Sequence, residues 1–309
     1  MNKMISVIIP TYNSEQFILQ SVISVFKQSY KNYELIVVDD GSTDNTRNLL
    51  NQYRKNLQYI YQKNSGVSSA RNTGIKKSKG EYIAILESDD FYEKYFLEEL
   101  AEFIDIIDTD IVYCNMNIVD ENNKNIGIRY KKEPEPVTIK RMLIQNYIVP
   151  SQTLIRKKLI ENIGLFDEQI EVGDDWDFWL RALLNGCNFK YLNKCLTNYR
   201  VYKNQSRSFM NIDKAYKNEL LILDKFYANF NLPPELFKIK NLVYTNRILT
   251  FRNLYLKQKK FYKSIQCYLN AVKLNKKIFS DPQKFKIIKL LLRPFLCDFI
   301  LSLYKKLRI

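Results

Sequence analysis

The sequence predicts an α/β fold with a mainly parallel central sheet, followed by a small C-terminal helical region. Short apolar runs rich in Val and Ile alternate with helical stretches, and the runs are apolar throughout, as in strands buried on both faces. After Ser208 the strand pattern largely disappears and amphipathic, basic helices replace it. We therefore predict one domain over residues 1–208 and a helical region over residues 209–309.

The first part of the chain repeats a strand–helix unit three times before a fourth strand. The predicted strands are Ser6–Ile9, Leu35–Val38, Leu57–Tyr61 and Tyr82–Leu86, and the predicted helices are Gln16–Phe26, Thr43–Tyr53 and Val67–Lys77. Because ligands of parallel sheets bind at the carboxyl ends of the strands, the residues after each strand are candidate site residues.

The middle of the chain is less regular. We expect a helix over Lys94–Ile107, a strand over Ile111–Cys114, a polar loop over Asp120–Pro136, a strand near Gln152–Ile155 and helices over Lys157–Ile163 and Asp174–Asn185. The amphipathic, basic pattern of residues 212–304 predicts three or four helices, with breaks at Pro233-Pro234 and near Asp281-Pro282.

Composition excludes several kinds of chemistry. The 309 residues include no histidine, which removes Ser-His-Asp and Cys-His triads, histidine general bases and His-containing zinc sites. The five cysteines form no CxxC pair, and their scattered spacing favours reduced thiols over a disulfide scaffold. With neither a secretory signal nor a long apolar run, we expect a cytoplasmic protein.

The net charge of +15 lies entirely in the last third of the chain. Residues 1–210 hold 27 basic and 27 acidic side chains, whereas residues 211–309 hold 21 basic and 6 acidic side chains. A general bias toward Lys, Asn and Ile explains the composition but not this asymmetry. A polyanionic partner for the C-terminal third therefore stays open.

Three carboxylates follow the fourth predicted strand, at Glu87, Asp89 and Asp90. Carboxylates this close repel one another unless a cation compensates them. Mg²⁺ and Mn²⁺ prefer oxygen ligands, and Mg²⁺ commonly binds through one or two carboxylates plus substrate phosphates. A solvated turn that caps the next helix explains the same residues equally well.

Polar residues also surround the end of the second strand. One carboxylate of the Asp39-Asp40 pair can accept hydrogen bonds from a base or ribose, since a capped turn here needs only Ser42 or Thr43. Arg71 lies on a predicted helix facing the same edge, where its guanidinium can pair with phosphate oxygens. The alternative for Arg71 is an exposed helix position.

The segment Gly173–Arg181 combines acidic residues with both tryptophans of the chain. Asp174 and Asp175 at a helix N-terminus are also explained by the helix dipole alone. Trp176 and Trp179 beside a carboxylate can form a platform for a sugar. A carboxylate near an apolar wall has a raised pKa that suits a general base.

Taken together, these segments resemble family 2 glycosyltransferases of the GT-A fold. The resemblance covers residues 4–208, in family order and at family-like spacing, and is carried by Ser6–Asn13, Val37–Asp44, Gly66–Ile75, Glu87–Asp90 and Asp174–Arg181. It implies a Rossmann-like nucleotide-binding domain. It also implies inverting transfer of a sugar from a nucleotide-sugar donor, usually a UDP-sugar, to a saccharide or lipid-linked acceptor in cell-surface polysaccharide synthesis.

The resemblance also implies roles for individual residues. Asp175 matches the catalytic base. Donor binding falls on Pro10, Thr11, Tyr12, Asp40, Arg71, Ser88 and Asp89, the Mg²⁺ or Mn²⁺ site on Glu87, Asp89 and Asp90, and acceptor contacts on Asp174, Trp176 and Trp179. Two residues depart from the family pattern: Glu87 stands at a position that is usually Asp, and Tyr202 stands where many relatives carry His.

Other functions stay open at this point. A catalytically silent nucleotide-sugar-binding protein of the same fold is one alternative, and a polyanion-binding protein acting through the basic C-terminal helices is another. No nucleic-acid-binding motif is present, so we expect no nucleic-acid partner. The segment Phe285–Ile309 mixes apolar and basic residues, as in helices at an anionic membrane surface, and packing on the catalytic domain explains it equally well. If the segment binds an anionic membrane surface, we expect the protein at the inner face of the cell membrane.

Overall fold

The computed structural model describes residues 3–202, 211–229 and 232–276. The chain divides into two compact units between Phe226 and Tyr227. The boundary predicted after residue 208 stays a prediction. The break near Asp281-Pro282 and the segment Phe285–Ile309 lie outside the described residues. Of the helices in the described ranges, none is both long enough and apolar enough to cross a membrane.

The first unit begins with alternating strands and helices, as the sequence predicts. Its elements are β1 (Ile5–Thr11), α1 (Ile18–Phe26), β2 (Tyr33–Asp39), α2 (Thr46–Asn51), β3 (Gln58–Tyr61), α3 (Val67–Lys77), β4 (Tyr82–Ile85), β5 (Phe91–Tyr92), α4 (Phe96–Ile106), β6 (Ile111–Val119), β7 (Asn125–Ile128), α5 (Ile139–Ile144), a 3₁₀ turn (Pro150–Gln152), β8 (Thr153–Arg156), α6 (Lys157–Ile163), α7 (Asp174–Leu184), β9 (Phe189–Arg200) and α8 (Ile212–Tyr227).

One sheet connects the strands in the order β3-β2-β1-β4-β8-β6-β9-β5, with β7 paired to β6. The first four strands of this order are parallel, so their carboxyl ends share one edge. β8 is antiparallel to both β4 and β6, and β9 returns parallel to β6. The predicted α/β fold with a mainly parallel sheet is confirmed.

Both faces of the parallel half are covered, which explains its continuous apolar strands. Every residue of β1 and β4 is buried. On one face, Val7 and its neighbours pack in a large cluster with residues of α1 and α4. On the other face, Ile36 and Val38 pack against Ala70 of α3. The burial fixes the strands, so the polar residues that follow them sit at a rigid edge.

The structure also contains elements that the sequence patterns did not predict. The long strand β9 is missing from the prediction because Lys, Asn and Thr interrupt its apolar residues, and its pairing with β6 shifts register twice. The short β5 and the helix α5 were missed as well. The prediction of a polar loop over Asp120–Pro136 is wrong in part, because Asn125–Ile128 pairs with β6 as a hairpin strand.

The described part of the second unit is helical, as predicted. Its helices are α9 (Pro234–Lys238), α10 (Lys240–Lys257) and α11 (Phe261–Leu274). The predicted break at Pro233-Pro234 is confirmed, since α9 starts at Pro234, a position where the missing N–H of proline costs nothing. The helices α10 and α11 each bury one face, with Phe251 and Tyr255 on the first and Cys267 and Ala271 on the second.

We predict that Gly74→Ala destabilises the first unit by about 1–3 kcal/mol, because the core is already closely packed. A Cβ at Gly74 of α3 would collide with the buried side chain of Ile8 in β1. Urea unfolding measures the change. The matched control is Gly127→Ala, where a Cβ meets no atom within 4 Å. Equal stability of the two variants would contradict this account of the contact between α3 and β1.

Candidate active site

The carboxyl ends of the parallel strands border a cavity of about 680 Å³. Most of the predicted site residues line it, although they are spread over more than 160 positions of the chain. They are Pro10, Thr11, Tyr12, Asp40, Arg71, Glu87, Ser88, Asp89, Asp90, Asp174 and Asp175. The sheet topology therefore places these predicted site residues around one cavity, although they are far apart in the sequence.

Asp40 organises the loop that starts helix α3. Its carboxylate accepts hydrogen bonds from the Gln62 side chain at 2.7 Å and from the backbone N–H groups of Ser65 and Gly66 at 2.9 and 2.8 Å. The neighbouring Asp39 accepts from the Ser42 N–H at 2.8 Å. We predicted that Ser42 or Thr43 is enough to cap this turn. That prediction is wrong, because Asp39 also closes the turn through its bond to the Ser42 N–H.

Arg71 lies between two carboxylates rather than on an exposed helix face. It pairs with Asp174 through one terminal nitrogen and with Glu87 through the other, at 2.6 Å for Glu87. Its side chain is only 6% exposed. Burial alone would lower the pKa of Arg71, but the charges of Asp174 and Glu87 raise it above its usual value. We call Glu87, Arg71 and Asp174 the ion triad.

The triad joins three separate parts of the first unit. Arg71 comes from α3, Glu87 from the turn after β4, and Asp174 from the first turn of α7. Ser68 of α3 adds a hydrogen bond to Asp174 at 3.0 Å. A guanidinium with two well-placed carboxylates suits this role because its planar fork donates in fixed directions. The triad therefore fixes the start of α7 against the sheet edge.

The acidic turn after β4 is held from both sides. The Ser21 hydroxyl lies 3.0 Å from the carbonyl of Ser88 and 2.6 Å from that of Asp90. Arg200, at the end of β9, donates from its side chain to the Asp89 carbonyl at 2.8 Å and from its N–H to Asp90 Oδ1 at 3.0 Å. These bonds fix the backbone of the turn, and the Arg200 N–H gives one oxygen of Asp90 a partner.

The two aspartates of this turn both resist ionisation. The pKa of Asp89 is raised to about 6, mainly by burial and secondly by the negative charge of Glu87. Burial and the charge of Asp89 hold the pKa of Asp90 well above its usual range. Asp90 Oδ2 is buried and has no hydrogen-bond partner among the described residues. A cation beside these carboxylates would relieve both costs.

Tyr202 lies beside the same turn. Its hydroxyl donates to Asp89 Oδ2 at 3.3 Å, and its ring packs 5.0 Å from that of Phe17. Within the described ranges, no three acidic or thiol side chains are grouped as metal ligands. The protein ligands available to a metal in this turn are thus a pair of carboxylates, Asp89 and Asp90, since Glu87 is bonded to Arg71.

Asp175 faces the cavity from the first turn of α7. Burial and next the negative charge of Asp174 raise its pKa to about 7, against the opposing effect of Arg71. Its Oδ1 accepts the Trp176 N–H at 2.9 Å, and its Oδ2 accepts the Asn146 side chain at 3.0 Å. A half-buried carboxylate with a pKa near neutrality has the properties of a general base.

The prediction of a tryptophan platform for a sugar is wrong in this structure. Trp176 and Trp179 are 1% and 0% exposed and do not line the cavity. Their indole N–H groups donate to the carbonyls of Met142 at 2.7 Å and Ile148 at 3.1 Å. Both rings therefore belong to the core between α7, α5 and the residues that follow α5, because an amphipathic helix buries its largest apolar side chains.

Sequence reasoning missed several residues of the cavity wall. Val149, Pro150, Glu171, Val172 and Tyr199 line it as well. No local sequence pattern marked these residues, because only the folded chain brings them to the cavity.

The chain is similar in sequence to known glycosyltransferases. The family model described as "Glycosyl transferase family 2" matches residues 6–164. An uncharacterised glycosyltransferase of Rickettsia typhi is 35% identical over 187 residues, covering 58% of this chain and 58% of that protein. TuaG of Bacillus subtilis, a putative teichuronic acid biosynthesis glycosyltransferase, is 31% identical over 209 residues, covering 66% of this chain and 82% of that protein.

Solved structures support the GT-A fold. Residues 1–349 of Staphylococcus aureus TarS superpose with a TM-score of 0.66 at 27% identity, over 87% of this chain and 79% of that chain. The complex of the same TarS fragment with UDP-GlcNAc gives a TM-score of 0.61 at 26% identity, over 82% and 72%. A Pyrobaculum calidifontis mannosyltransferase in complex with GDP-Man and Mn²⁺ gives 0.60 at 14% identity, over 94% and 79%, and shows the fold alone.

We predict that Arg71→Met destabilises the first unit by about 3–5 kcal/mol, because it leaves the buried carboxylate of Asp174 and the partly exposed one of Glu87 without their cation. The control is Lys194→Met, which removes a half-exposed partner of Glu99 and is expected to cost less than about 1 kcal/mol. Urea unfolding of both variants measures the difference. A loss for Arg71→Met no larger than that of the control would show that the triad is not a structural tie.

Proposed function

Because the chain belongs to glycosyl transferase family 2, we propose that it transfers a sugar from a nucleotide-sugar donor to an acceptor hydroxyl. One observation carries the proposal. A single cavity at the sheet edge contains the residues expected to bind the nucleoside, an acidic pair suited to a cation, and a carboxylate whose pKa is about 7. The groups needed to bind a donor and to activate an acceptor therefore share one space.

We propose a UDP-sugar as the donor. The nucleoside would occupy the end of the cavity formed by Pro10, Thr11, Tyr12 and Asp40. Thr11 Oγ1 is buried there without a hydrogen-bond partner in the described chain, which leaves a polar group for a ligand. The S. aureus TarS fragment, whose structure was solved in complex with UDP-GlcNAc, supports uridine as the nucleoside.

We propose that Asp89 and Asp90 hold Mg²⁺ or Mn²⁺ together with the donor diphosphate. The unpartnered Oδ2 of Asp90 and the raised pKa of Asp89 fit a site that is completed by a cation. When bound, such an ion supplies positive charge that stabilises the leaving diphosphate. Glu87 supports this turn through Arg71 rather than as a ligand.

Asp175 acts as the general base in this proposal. Its carboxylate accepts the proton of the acceptor hydroxyl while the hydroxyl oxygen bonds to the anomeric carbon. The bond from that carbon to the diphosphate breaks on the opposite face, so the anomeric configuration inverts. The triad keeps Asp175 in place, because Asp174, the residue before it, is bonded to Arg71.

The acceptor that we propose is a saccharide or lipid-linked glycan of a cell-surface polysaccharide. The teichuronic acid role named for the B. subtilis relative supports this class of acceptor. We further propose that the basic C-terminal third holds the protein at an anionic membrane surface, where lipid-linked acceptors lie.

A panel of nucleotide-sugars tests the proposed function. Each is added with and without Mn²⁺, while thermal stability and release of free nucleotide are measured. Stabilisation that depends on Mn²⁺, with slow hydrolysis of one UDP-sugar, is the expected result and would also identify the donor. Absence of any response with the metal present would contradict the proposal.

We predict that Asp175→Asn lowers turnover by about 10²–10⁴-fold, because an amide accepts no proton. Donor affinity should stay within about threefold, since Asp175 does not contact the nucleotide in this account. Transfer kinetics and calorimetric titration with the donor measure the two quantities. Asp108→Asn, an exposed position in the same unit, is the control and should keep full activity. Full turnover by Asp175→Asn would exclude this residue as the base.

We predict that kcat/KM rises with pH up to about pH 7 and then levels off. A general base works in its deprotonated form, and the pKa of Asp175 is about 7, so the rate falls as pH drops through that value. The profile is measured at saturating Mn²⁺, so that protonation of Asp89 does not limit metal binding. A rate independent of pH between 5 and 8 would contradict the assignment.

A further inference from the structure

The Asp175 carboxylate contacts its own helix and also residues 142–148, which we call the 142–148 segment. Asn146 Nδ2 donates to Asp175 Oδ2 at 3.0 Å, while the Trp176 N–H donates to Oδ1 at 2.9 Å. Each carboxylate oxygen receives one hydrogen bond and keeps a second lone pair. The carboxylate is therefore fixed in rotation and still able to accept a proton.

The 142–148 segment is itself tied to the helix that carries Asp175. Trp176 donates from its indole to the Met142 carbonyl at 2.7 Å, and Trp179 donates to the Ile148 carbonyl at 3.1 Å. Both indoles are buried, so these bonds are shielded from water. The two ends of the segment are thus bonded to α7, and Asn146 lies between them. Its own Oδ1 accepts the Ile148 N–H at 3.4 Å.

We propose that Asn146 is a positioning residue for the base Asp175, and that Trp176 and Trp179 fix the 142–148 segment to α7 so that Asn146 reaches the carboxylate. The inference rests on the proposed function, since it assigns Asn146 a part in proton transfer. It also gives the two tryptophans a role in the site other than contact with a sugar.

Two charged groups also act on Asp175. Asp174, on its own helix, disfavours ionisation, and Arg71 of α3 favours it. Asn146 donates from an uncharged side chain and Trp176 from its backbone N–H, and a hydrogen bond to a carboxylate favours the ionised form. Loss of the Asn146 amide therefore raises the pKa of Asp175, and a carboxylate in its place raises it further.

The test measures the pKa of Asp175 directly in the full chain. Aspartate carboxyls are labelled with ¹³C, the Asp175 signal is identified by its loss in Asp175→Asn, and its shift is followed against pH. We expect Asn146→Ala to raise the midpoint by about one pH unit. The near-isosteric Asn146→Asp should raise it more, and it covers the case in which the alanine variant does not fold.

The matched control is Asn185→Ala. Asn185 donates from its side chain to the Arg181 carbonyl at the other end of α7, so it tests a loss of helix stability alone. The Asp175 midpoint should stay unchanged in this variant. An unchanged midpoint in both Asn146→Ala and Asn146→Asp, or an equal shift in the control, would overturn the proposal.

Kinetics with an active donor separate the two proposals. In Asn146→Ala the acid limb of kcat/KM should move upward by the same amount as the carboxyl titration, while KM for the donor stays unchanged. If wild-type protein transfers sugar and neither quantity moves, the positioning role is wrong and the proposed function stands. If the carboxyl midpoint moves but no donor is turned over, the contact is confirmed and the proposed function is wrong.

Discussion

The placement of Arg71 between Glu87 and Asp174 is the constraint on which the rest of the site depends. A buried guanidinium is costly unless carboxylates surround it, and here each carboxylate comes from a different element. The three side chains can satisfy one another only when α3, the turn after β4 and the start of α7 meet at one place. Pairing of these charges therefore fixes the relative positions of the three elements. The cavity lies where they meet.

Other polar contacts extend this arrangement on either side of the cavity. Asp40 fixes the loop that begins α3, and Arg200 holds the acidic turn that contains Asp89 and Asp90. Buried indoles attach the 142–148 segment to α7, which carries Asp175. Each carboxylate of the proposed site is therefore held in place by neighbouring groups. Such support preserves the geometry that a transfer reaction needs.

The sequence predicts what depends on local pattern and misses what depends on partners. β1 and β4 were recognisable because burial on both faces leaves a continuous apolar run, and Asp175 because an acidic residue stands beside aromatic ones at a helix start. The strand β9 was missed because its pairing with β6, not its own residues, makes it a strand. The burial of Arg71 and the part played by Asn146 were likewise invisible, since both depend on contacts more than 25 positions apart in the chain.

In the proposed function, one cavity holds the nucleotide, the metal and the base in a single arrangement. A crystal structure of the chain with UDP and Mn²⁺, with anomalous diffraction recorded at the manganese edge, tests it most directly. The account predicts one anomalous peak between the diphosphate and the carboxylates of Asp89 and Asp90, with uridine beside Tyr12 and Asp175 facing the open part of the cavity. A manganese peak away from these aspartates, or a nucleotide bound outside the cavity, would contradict it.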